Sequence, residues 1–537
     1  MKKILLFIFE SIFGMYLVMN VSNIILYANE NTEVEYEDCN LDVSGSMNQK
    51  SDDSKPDNVL SNSVDNFNLT DNNEESNSTK NDDGNFVSNK SHESEEQIID
   101  KGWNEDKTKY YDGEKYVQGK YFVKEDSSYY YFDAEGIVSR NLWIQSELGK
   151  EYYGIDGKQA LGKTFILNTF YYFDLNTGLM KTGLQNQNYY NPDGTIYYGQ
   201  KKIGRYWYYF KPGSGEMAKG IVTIPAEFNK EGSKTVYYND KGQMHYGQKH
   251  IGEYWYYFKP GSGEMAKGIV TIPAKYNKEG SKIVGYDFNG HMLYGLKKVD
   301  GYNYYFCSGS GALQTGFQIV PANANNGKEI VAYFETNGKM YIGTKNVGKI
   351  TISTDNDGSI ISTKVNGVPY YAQNDPRWAY NIIGGYYFSG TGCLPTVMTS
   401  VVNYYFGTSY TPIEVGKVLH YKGYFNTDSL MGTSSDAWLW AMNDYYRKDC
   451  KNNLSYNDIV NNLRMGKLIA GAVGPGTFVN PGYTHAILLF GLNDRGQTYV
   501  YDPLHSNRNG WYYLSDIYNQ RSTAPEDQLG GGPFYAI

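Results

Sequence analysis

The segment GTGCLPT, which runs from Gly390 to Thr396, is followed by apolar residues at the spacing of a helix. These residues are Val397, Val401, Val402 and Tyr405. Pro395 suits the first turn of such a helix, because a first-turn residue has no intrahelical partner for its N–H. The pattern therefore predicts that Cys393 lies at or just before a helix N-terminus. There the helix dipole and the free N–H groups stabilise a thiolate over a thiol.

A nucleophilic cysteine needs a base and a group that orients the base. His485 begins the apolar run Ala486–Phe490, which is typical of a buried strand, and Asn493–Gly496 supplies a turn. The returning strand, Thr498–Tyr501, ends at Asp502. Hairpin geometry places the histidine and the aspartate opposite or diagonal to each other, with their Cα or Cβ atoms about 5 to 8 Å apart. This spacing predicts a Cys-His-Asp site.

The domain that carries these residues begins near Val365. The polar stretch Thr351–Lys364 precedes this point, and beyond it the aromatic repeats of the upstream sequence have ceased. About 170 residues remain, which is enough for one hydrophobic core. Two further histidines, His420 and His505, fall in this domain, and the latter is a second candidate for the base because it is close to Asp502 in sequence.

The domain resembles the papain-like cysteine peptidases of the bacteriocin-leader-processing type, in a stand-alone secreted form. The resemblance rests on Val368–Tyr371 with Gln373, Asp375–Trp378, Gly392-Cys393 with Pro395-Thr396, Thr484–Ala486, and Asp502-Pro503. It implies an α+β fold in which Cys393 attacks an amide carbonyl, His485 transfers the proton and Asp502 orients the histidine. It also implies that Gln373 and the backbone N–H of Cys393 form the oxyanion hole. Leu394 departs from the family pattern, because many relatives have glycine there.

Upstream, residues 101–350 repeat an aromatic pattern. Two or three aromatic residues precede a glycine-containing turn and an apolar residue, and Phe210 and Phe258 lie 48 residues apart in equivalent places. Each period contains two hairpin-like halves, one around Tyr208–Phe210 and one around Tyr237–Asn239. Repeats of this size bury surface only against their neighbours. Because aromatic residues suit half-buried strands and glycines suit tight turns, the pattern predicts a β-hairpin solenoid.

These repeats resemble the cell-wall-binding and glucan-binding repeats of Gram-positive surface proteins, which are relatives of choline-binding repeats. The phrase Tyr206–Phe210, echoed at Tyr254–Phe258, carries most of the resemblance. It implies that some aromatic rings stack on sugars or enclose a choline cation, while most tyrosines join neighbouring hairpins. The candidate ligand-binding residues are Trp207, Trp255, Tyr209 and Tyr257. Asn303 replaces the tryptophan in the third period, which favours a wall polysaccharide or glucan over teichoic-acid choline as the partner.

The first 100 residues predict export followed by a spacer. Two lysines precede an apolar run that ends at Leu26, which is typical of a signal peptide over residues 1–28. Glu10 interrupts this run, so an uncleaved anchor is the alternative. Residues 29–100 contain 19 acidic residues against four lysines and few large apolar ones. Such a segment cannot bury enough apolar surface to fold, and we expect a disordered acidic spacer.

Charge and cysteine content exclude several classes of protein. The formal net charge is -9, and no segment has the basic character that nucleic-acid binding requires. Four cysteines are too scattered for a disulfide framework or a metal site, and no cofactor is implied.

The sequence thus predicts a multidomain, secreted, cell-wall-associated cysteine peptidase that hydrolyses peptide or isopeptide bonds in a protein or peptide. The alternatives are a peptidoglycan amidase or endopeptidase, and a non-catalytic wall-binding adhesin with a degenerate peptidase domain.

Overall fold

The computed structural model describes residues 100–230, 232–278 and 280–537. The chain divides into two compact units, of which one ends at His245 and the other extends from Tyr246 to Ile537. The predicted leader, residues 1–28, and residues 29–99 of the predicted spacer lie outside the described residues. Among the helices of the described part of the chain, none is long and apolar enough to span a membrane.

The unit that ends at His245 consists of antiparallel β-hairpins. Its paired strands are Gly102–Trp103 with Tyr110–Tyr111, Gly119–Val123 with Ser128–Phe132, Leu142–Ser146 with Gly149–Tyr153, Gly162–Ile166 with Thr169–Phe173 and then Met180–Lys181, Gly183–Gln185 with Asn188–Tyr190, Gly199–Ile203 with Tyr206–Phe210, and Gly220–Ile224 with Lys234–Tyr238. A 3-10 turn, Ala226–Phe228, lies within the connection of the last pair.

Tight turns and ring packing explain why this sequence forms hairpins. Gly204 lies in the two-residue turn between Ile203 and Tyr206 with φ 59°, a left-handed conformation that glycine adopts without steric cost. The ring of Tyr209 stacks on that of Tyr238 in the next hairpin, with centroids 6.5 Å apart. This hairpin therefore buries Tyr209 against its neighbour.

The second unit begins with four more hairpins of the same kind. Their strands are Gly247–Ile251 with Tyr254–Phe258, Gly268–Ile272 with Lys282–Tyr286, Gly295–Val299 with Tyr302–Phe306, and Gly316–Val320 with Ile330–Phe334, with 3-10 turns at Ala274–Tyr276 and Ala322–Ala324. The N–H of Met292 donates to the carbonyl of Trp255, and that of Met340 donates to Asn303. Because these bonds use main-chain atoms, Asn303 replaces a tryptophan without loss of the link. The prediction of repeated β-hairpins is confirmed.

The remaining residues form an α+β fold on an eight-stranded antiparallel sheet. Its strands are β1 (Thr344–Val347), β2 (Ile350–Thr354), β3 (Ile360–Val365), β4 (Ile469–Val473), β5 (His485–Leu492), β6 (Gln497–Tyr501), β7 (Gly510–Tyr513) and β8 (Phe534–Ala536). The strand order is β1-β2-β3-β5-β4-β8, and β6 pairs with β5 and β7. Two short hairpins lie outside the sheet, Ile382–Ile383 with Tyr386–Tyr387 and Phe425–Thr427 with Leu430–Thr433.

Seven α-helices accompany this sheet in the described residues. They are α1 (Phe388–Thr391), α2 (Cys393–Phe406), α3 (Pro412–Tyr421), α4 (Ala437–Leu439), α5 (Tyr456–Arg464), α6 (Leu514–Asn519) and α7 (Pro525–Gln528). A π-helix, Trp440–Tyr446, continues α4, and a 3-10 turn lies at Ser506–Arg508. A capping box at Ser455, whose hydroxyl accepts the N–H of Asp458, begins α5.

The polar stretch Thr351–Lys364, which precedes the predicted domain boundary, belongs to this sheet. Most of it forms β2 and β3, and Thr363 of β3 pairs with Leu492 of β5. Its buried residues include Ile352 and Ile360, which pack with the last hairpin of the repeats. The sheet thus begins upstream of the boundary expected near Val365. Strands of an antiparallel sheet can carry many polar residues, so composition alone does not reveal that this stretch belongs to the sheet.

The side chains of β5 divide the core between the two faces of the sheet. Leu488 and Phe490 belong to the cluster that contains Val397 and Val401 of α2. Residues at the intervening positions, such as Leu489, pack with Ile459 and Leu463 of α5 and others on the opposite side. Successive side chains of a strand point to opposite faces, so one fully buried strand serves both clusters. This burial fixes the position of β5 relative to α2.

Candidate active site

Cys393 is the first residue of α2, as the sequence predicts. It is half-buried, and Pro395 lies in the first turn. The carbonyl of Gly392 accepts the N–H of Thr396, which closes the first turn of the helix. A Cβ atom on Gly392 would come within 2.5 Å of the ring of Phe388, so glycine is required before the cysteine. The sulfur therefore lies at the positive end of a 14-residue helix.

His485 and Asp502 form a buried pair. His485 is the first residue of β5, and the pairing of Leu488 with Tyr501 places Asp502 diagonal to it. The distance from His485 Nε2 to Asp502 Oδ1 is 2.8 Å, and the two side chains are 5% and 0% exposed. Of the two arrangements that the hairpin allowed, the structure has the diagonal one. The bulge between Phe490 and Leu492 sets this register.

Asp502 is held in its charged form by several donors. Its Oδ1 atom accepts the backbone N–H groups of Leu504 and His505 at 2.8 and 3.1 Å, in addition to the imidazole. Burial raises the pKa of Asp502, but the hydrogen bond from His485 and the charge of that ring outweigh it and lower the pKa below its ordinary value. Arg508 Nη1 lies 3.9 Å from the other carboxylate oxygen.

The imidazole lies between a carboxylate and a thiol. Burial lowers the pKa of His485, but hydrogen bonds to Asp502 and Cys393 and the charges of both groups outweigh it and raise the pKa to about 9. Because Nε2 is bonded to Asp502, Nδ1 is the nitrogen left for the thiol. The structure therefore brings three of the predicted residues together. His505 contributes only its backbone N–H to this set, and the His420 ring bonds to the carbonyl of Phe425 instead.

Gln373 lies beside the site and is almost fully buried. Its backbone N–H donates to the carbonyl of Pro503 at 2.7 Å, and its side-chain Nε2 donates to the carbonyl of Ser389 at 2.8 Å. These bonds link the segment after Asp502 to the short helix α1, which precedes Cys393. No hydrogen bond joins the amide to the cysteine itself in the described residues. The bond to Ser389 thus holds Gln373 against a residue four positions before Cys393, and its role in the oxyanion hole stays a prediction.

A cleft of about 610 Å³ opens beside Cys393 and His485. Its walls include several polar residues that sequence reasoning missed: Thr433, Ser435, Ser522, Glu526 and Asp527. They come from distant parts of the chain, and their sequence neighbourhoods carry no motif. Gly471 and Ala472 also line the cleft. No group of described residues has the arrangement needed to hold a metal ion.

The candidate ligand-binding aromatic residues of the repeats divide into two sets. Trp207 and Trp255 are 37% and 41% exposed. Tyr209 and Tyr257 are each only 2% exposed, because Tyr238 and Tyr286 of the following hairpins stack on them. The two tyrosines therefore present no free ring face, which corrects the expectation that they bind a ligand. The sequence could not separate the two sets because all four rings occur in the same repeated phrase.

Residues 365–524 match the family model described as Peptidase_C39 like family. Choline binding protein F from Streptococcus pneumoniae is similar at 20% sequence identity and a TM-score of 0.34, covering 47% of this chain and 97% of that chain. The modular autolysin LytC from Streptococcus pneumoniae has 20% identity and a TM-score of 0.24, with coverage of 38% and 50%. The choline-binding domain of CbpL from Streptococcus pneumoniae has 23% identity and a TM-score of 0.22, with coverage of 43% and 99%.

No curated protein matches the sequence. The family match and the observed hairpins together confirm the predicted organisation, a hairpin repeat array followed by a peptidase C39-like domain. The roles of the individual site residues stay predictions.

Proposed function

We propose that the C-terminal domain is a cysteine peptidase that hydrolyses peptide or isopeptide bonds. The observation that carries this proposal is that the His485 imidazole is bonded to the Asp502 carboxylate at 2.8 Å and also interacts with the Cys393 thiol. The cysteine begins a helix and borders a cleft large enough for a substrate side chain. The family match agrees with this activity.

In the proposed reaction, the Cys393 thiolate attacks the carbonyl carbon of the scissile bond. The His485 imidazolium then donates its proton to the leaving amine, and the acyl group stays on sulfur. A water molecule attacks the thioester while the now neutral imidazole accepts its proton, and the thiolate leaves. Asp502 keeps the ring oriented and stabilises its positive charge, which agrees with the pKa of about 9 for His485.

The oxyanion that forms in each step needs hydrogen-bond donors. The backbone N–H of Cys393, at the start of α2, is one proposed donor. Gln373 is the other. Its Nε2 carries two hydrogens, of which one is used by the Ser389 carbonyl, so the second is available for the substrate. In this arrangement Ser389 holds the amide in place.

The decisive experiment compares protein substrates treated with the full chain and with a Cys393→Ala variant, with the cleaved bonds identified by mass spectrometry. We expect new termini only with the wild-type protein. Identical sets of cleaved bonds with the two proteins would contradict the peptidase proposal.

If wild-type protein releases soluble peptides from purified walls but cuts no protein, the function is that of a peptidoglycan amidase or endopeptidase. Absence of Cys393 labelling by iodoacetamide at neutral pH would support the adhesin alternative.

We propose that the repeats attach this peptidase to a wall glycan outside the cell, with Trp207 and Trp255 as the stacking residues. Two pairs of tyrosines that resemble cation cages already contain the chain's own ammonium groups. Lys201 Nζ lies 4.5 and 4.4 Å from the ring centroids of Tyr189 and Tyr197. Lys345 similarly lies 5.5 and 5.3 Å from two tyrosine rings. This occupancy favours a glycan over choline as the ligand.

Retention on purified cell walls and on dextran tests the proposed attachment. The double variant Trp207→Ala, Trp255→Ala should lose most of the retention, since stacking of a ring on a sugar needs an exposed face. Phe288→Ala is the matched control, because Phe288 is 79% exposed but lies outside the repeated phrase. Free choline should not release the wild-type protein. Release by choline, or full retention of the double variant, would contradict the proposal.

A further inference from the structure

Asp527 is a buried carboxylate in the same cleft as Cys393 and His485. It lies on the short helix α7 and is 5% exposed. Its Oδ1 atom accepts a hydrogen bond from the Ser435 hydroxyl at 3.3 Å. The other oxygen, Oδ2, is buried and has no hydrogen-bond partner among the described residues. Buried carboxylates are normally paired, so this oxygen lacks the partner that its environment requires.

The surroundings of Asp527 are polar, and no cation in the described part of the chain pairs with it. Thr433 lines the same cleft, and its hydroxyl is also buried without a partner in the described residues. Arg521 lines the cleft too, but its guanidinium donates to the carbonyl of Tyr518 and lies 4.7 Å from the centroid of that ring. Glu526 adds a second negative charge nearby. Among the described residues, the Asp527 carboxylate therefore has hydroxyl neighbours but no paired cation.

We infer that Asp527 and Thr433 form a subsite that binds a primary ammonium group of the substrate, such as a lysine side chain. This inference rests on the proposed peptidase function and names the substrate class of that site. An ammonium carries three donors and no acceptor, which suits Oδ2 and the threonine hydroxyl. A guanidinium prefers two free carboxylate oxygens, whereas Oδ1 already accepts from Ser435. The subsite therefore favours lysine over arginine.

The electrostatics around Asp527 favour binding of a cation. Burial raises the pKa of Asp527 and the charge of Glu526 adds to that effect, whereas the nearby hydroxyl groups of Ser522, Thr484 and Ser435 oppose it. A bound ammonium would stabilise the charged carboxylate and replace the water lost on burial. Thr484 directly precedes His485, so the bound side chain would lie close to the reacting bond.

The test is digestion of a proteome-derived peptide library by the full-length protein. We expect lysine to be enriched at one position relative to the cleaved bond. Acetylation of the library's lysines should lower cleavage of those peptides at least about tenfold, because the acetylated side chain leaves the acceptors unpaired. Asp527→Asn should abolish the enrichment, and the neighbouring control Glu526→Gln should retain it. Purified wall peptides, before and after acetylation, show whether the amine comes from a wall diamino acid instead of a polypeptide.

A binding measurement keeps this inference separate from the peptidase proposal. Full-length Cys393→Ala protein should bind Nα-acetyl-lysine amide more tightly than its Nε-acetylated form, and the additional change Asp527→Asn should remove the difference. Cleavage without a lysine preference, or equal binding of the two probes, would overturn the subsite. If the wild-type protein cuts nothing, the peptidase proposal fails, and the binding result alone decides whether the ammonium site exists.

Discussion

Burial alone would lower the pKa of His485, yet that pKa is about 9 because Asp502 and Cys393 both bond to the ring. The proton on the imidazole is therefore retained at neutral pH and lost as the pH rises through about 9. In the proposed mechanism this proton goes to the leaving amine. Activity should thus persist into mildly alkaline solution and fall above that range.

Asp502→Asn should lower the pKa of His485, because it removes the negative charge that favours the imidazolium. The alkaline limb of the kcat/KM profile should then move to lower pH, and kcat/KM at neutral pH should fall about 10²-fold. The measurement is hydrolysis of one peptide substrate across the pH range. Asp494→Asn, in the exposed turn between β5 and β6, is the matched control and should keep the wild-type profile. An unchanged alkaline limb in Asp502→Asn would contradict the assigned role.

Local geometry explains which site residues could be predicted from the sequence. One hairpin joins His485 to Asp502, so the strand pattern and the turn sufficed to place them together. The helix that begins at Cys393 could be predicted for the same reason, because the proline and the apolar residues that indicate it are close to the cysteine in sequence. The bond from Ser435 to Asp527 joins residues 92 positions apart, and no periodic pattern carries such a contact. The burial of Tyr209 also depends on the next hairpin, which the repeated phrase itself does not describe.

At the scale of one element, the start of α2 depends on the glycine before the cysteine. Gly392→Ala should lower the free energy of unfolding of the domain by about 1 to 3 kcal/mol, because the new Cβ would meet the Phe388 ring at 2.5 Å. Denaturant unfolding measures this loss. Gly390→Ala is the matched control, since a Cβ there meets no atom within 4 Å and the backbone needs no positive φ. Equal stability of the two variants would contradict the steric argument.

The repeated hairpins allow the packing and binding roles of their aromatic residues to be separated. Tyr257→Ala should destabilise its hairpin by about 3 to 5 kcal/mol, because the ring is buried against Tyr286. Hydrogen exchange of the backbone amides in Tyr254–Phe258 should accelerate accordingly. Trp255→Ala should leave this exchange nearly unchanged while wall retention falls. Faster exchange in the tryptophan variant would indicate that Trp255 has a packing role instead.

At the scale of the whole molecule, the C-terminal sheet begins at an earlier residue than the region that matches the family model. The match begins at residue 365, whereas the sheet begins at Thr344. Ile352 and Ile360 of β2 and β3 also pack with Phe317 and Val331 in the last hairpin of the repeats. The sequence suggested a boundary near residue 365 because the stretch before it is polar. Strand pairing, which the composition does not reveal, places that stretch inside the sheet.

A fragment of residues 316–537 should therefore fold cooperatively, whereas a fragment of residues 365–537 should be less stable or aggregate. The shorter fragment lacks β1 and β2 and nearly all of β3, so it loses the Ile352 and Ile360 cluster. It also leaves the edge of β5 near Leu492 unpaired, and an open strand edge promotes association between chains. Thermal unfolding and size-exclusion chromatography compare the two. Equal melting temperatures and two monomeric fragments would show that β1–β3 are dispensable, and that the peptidase fold is complete from residue 365 onward.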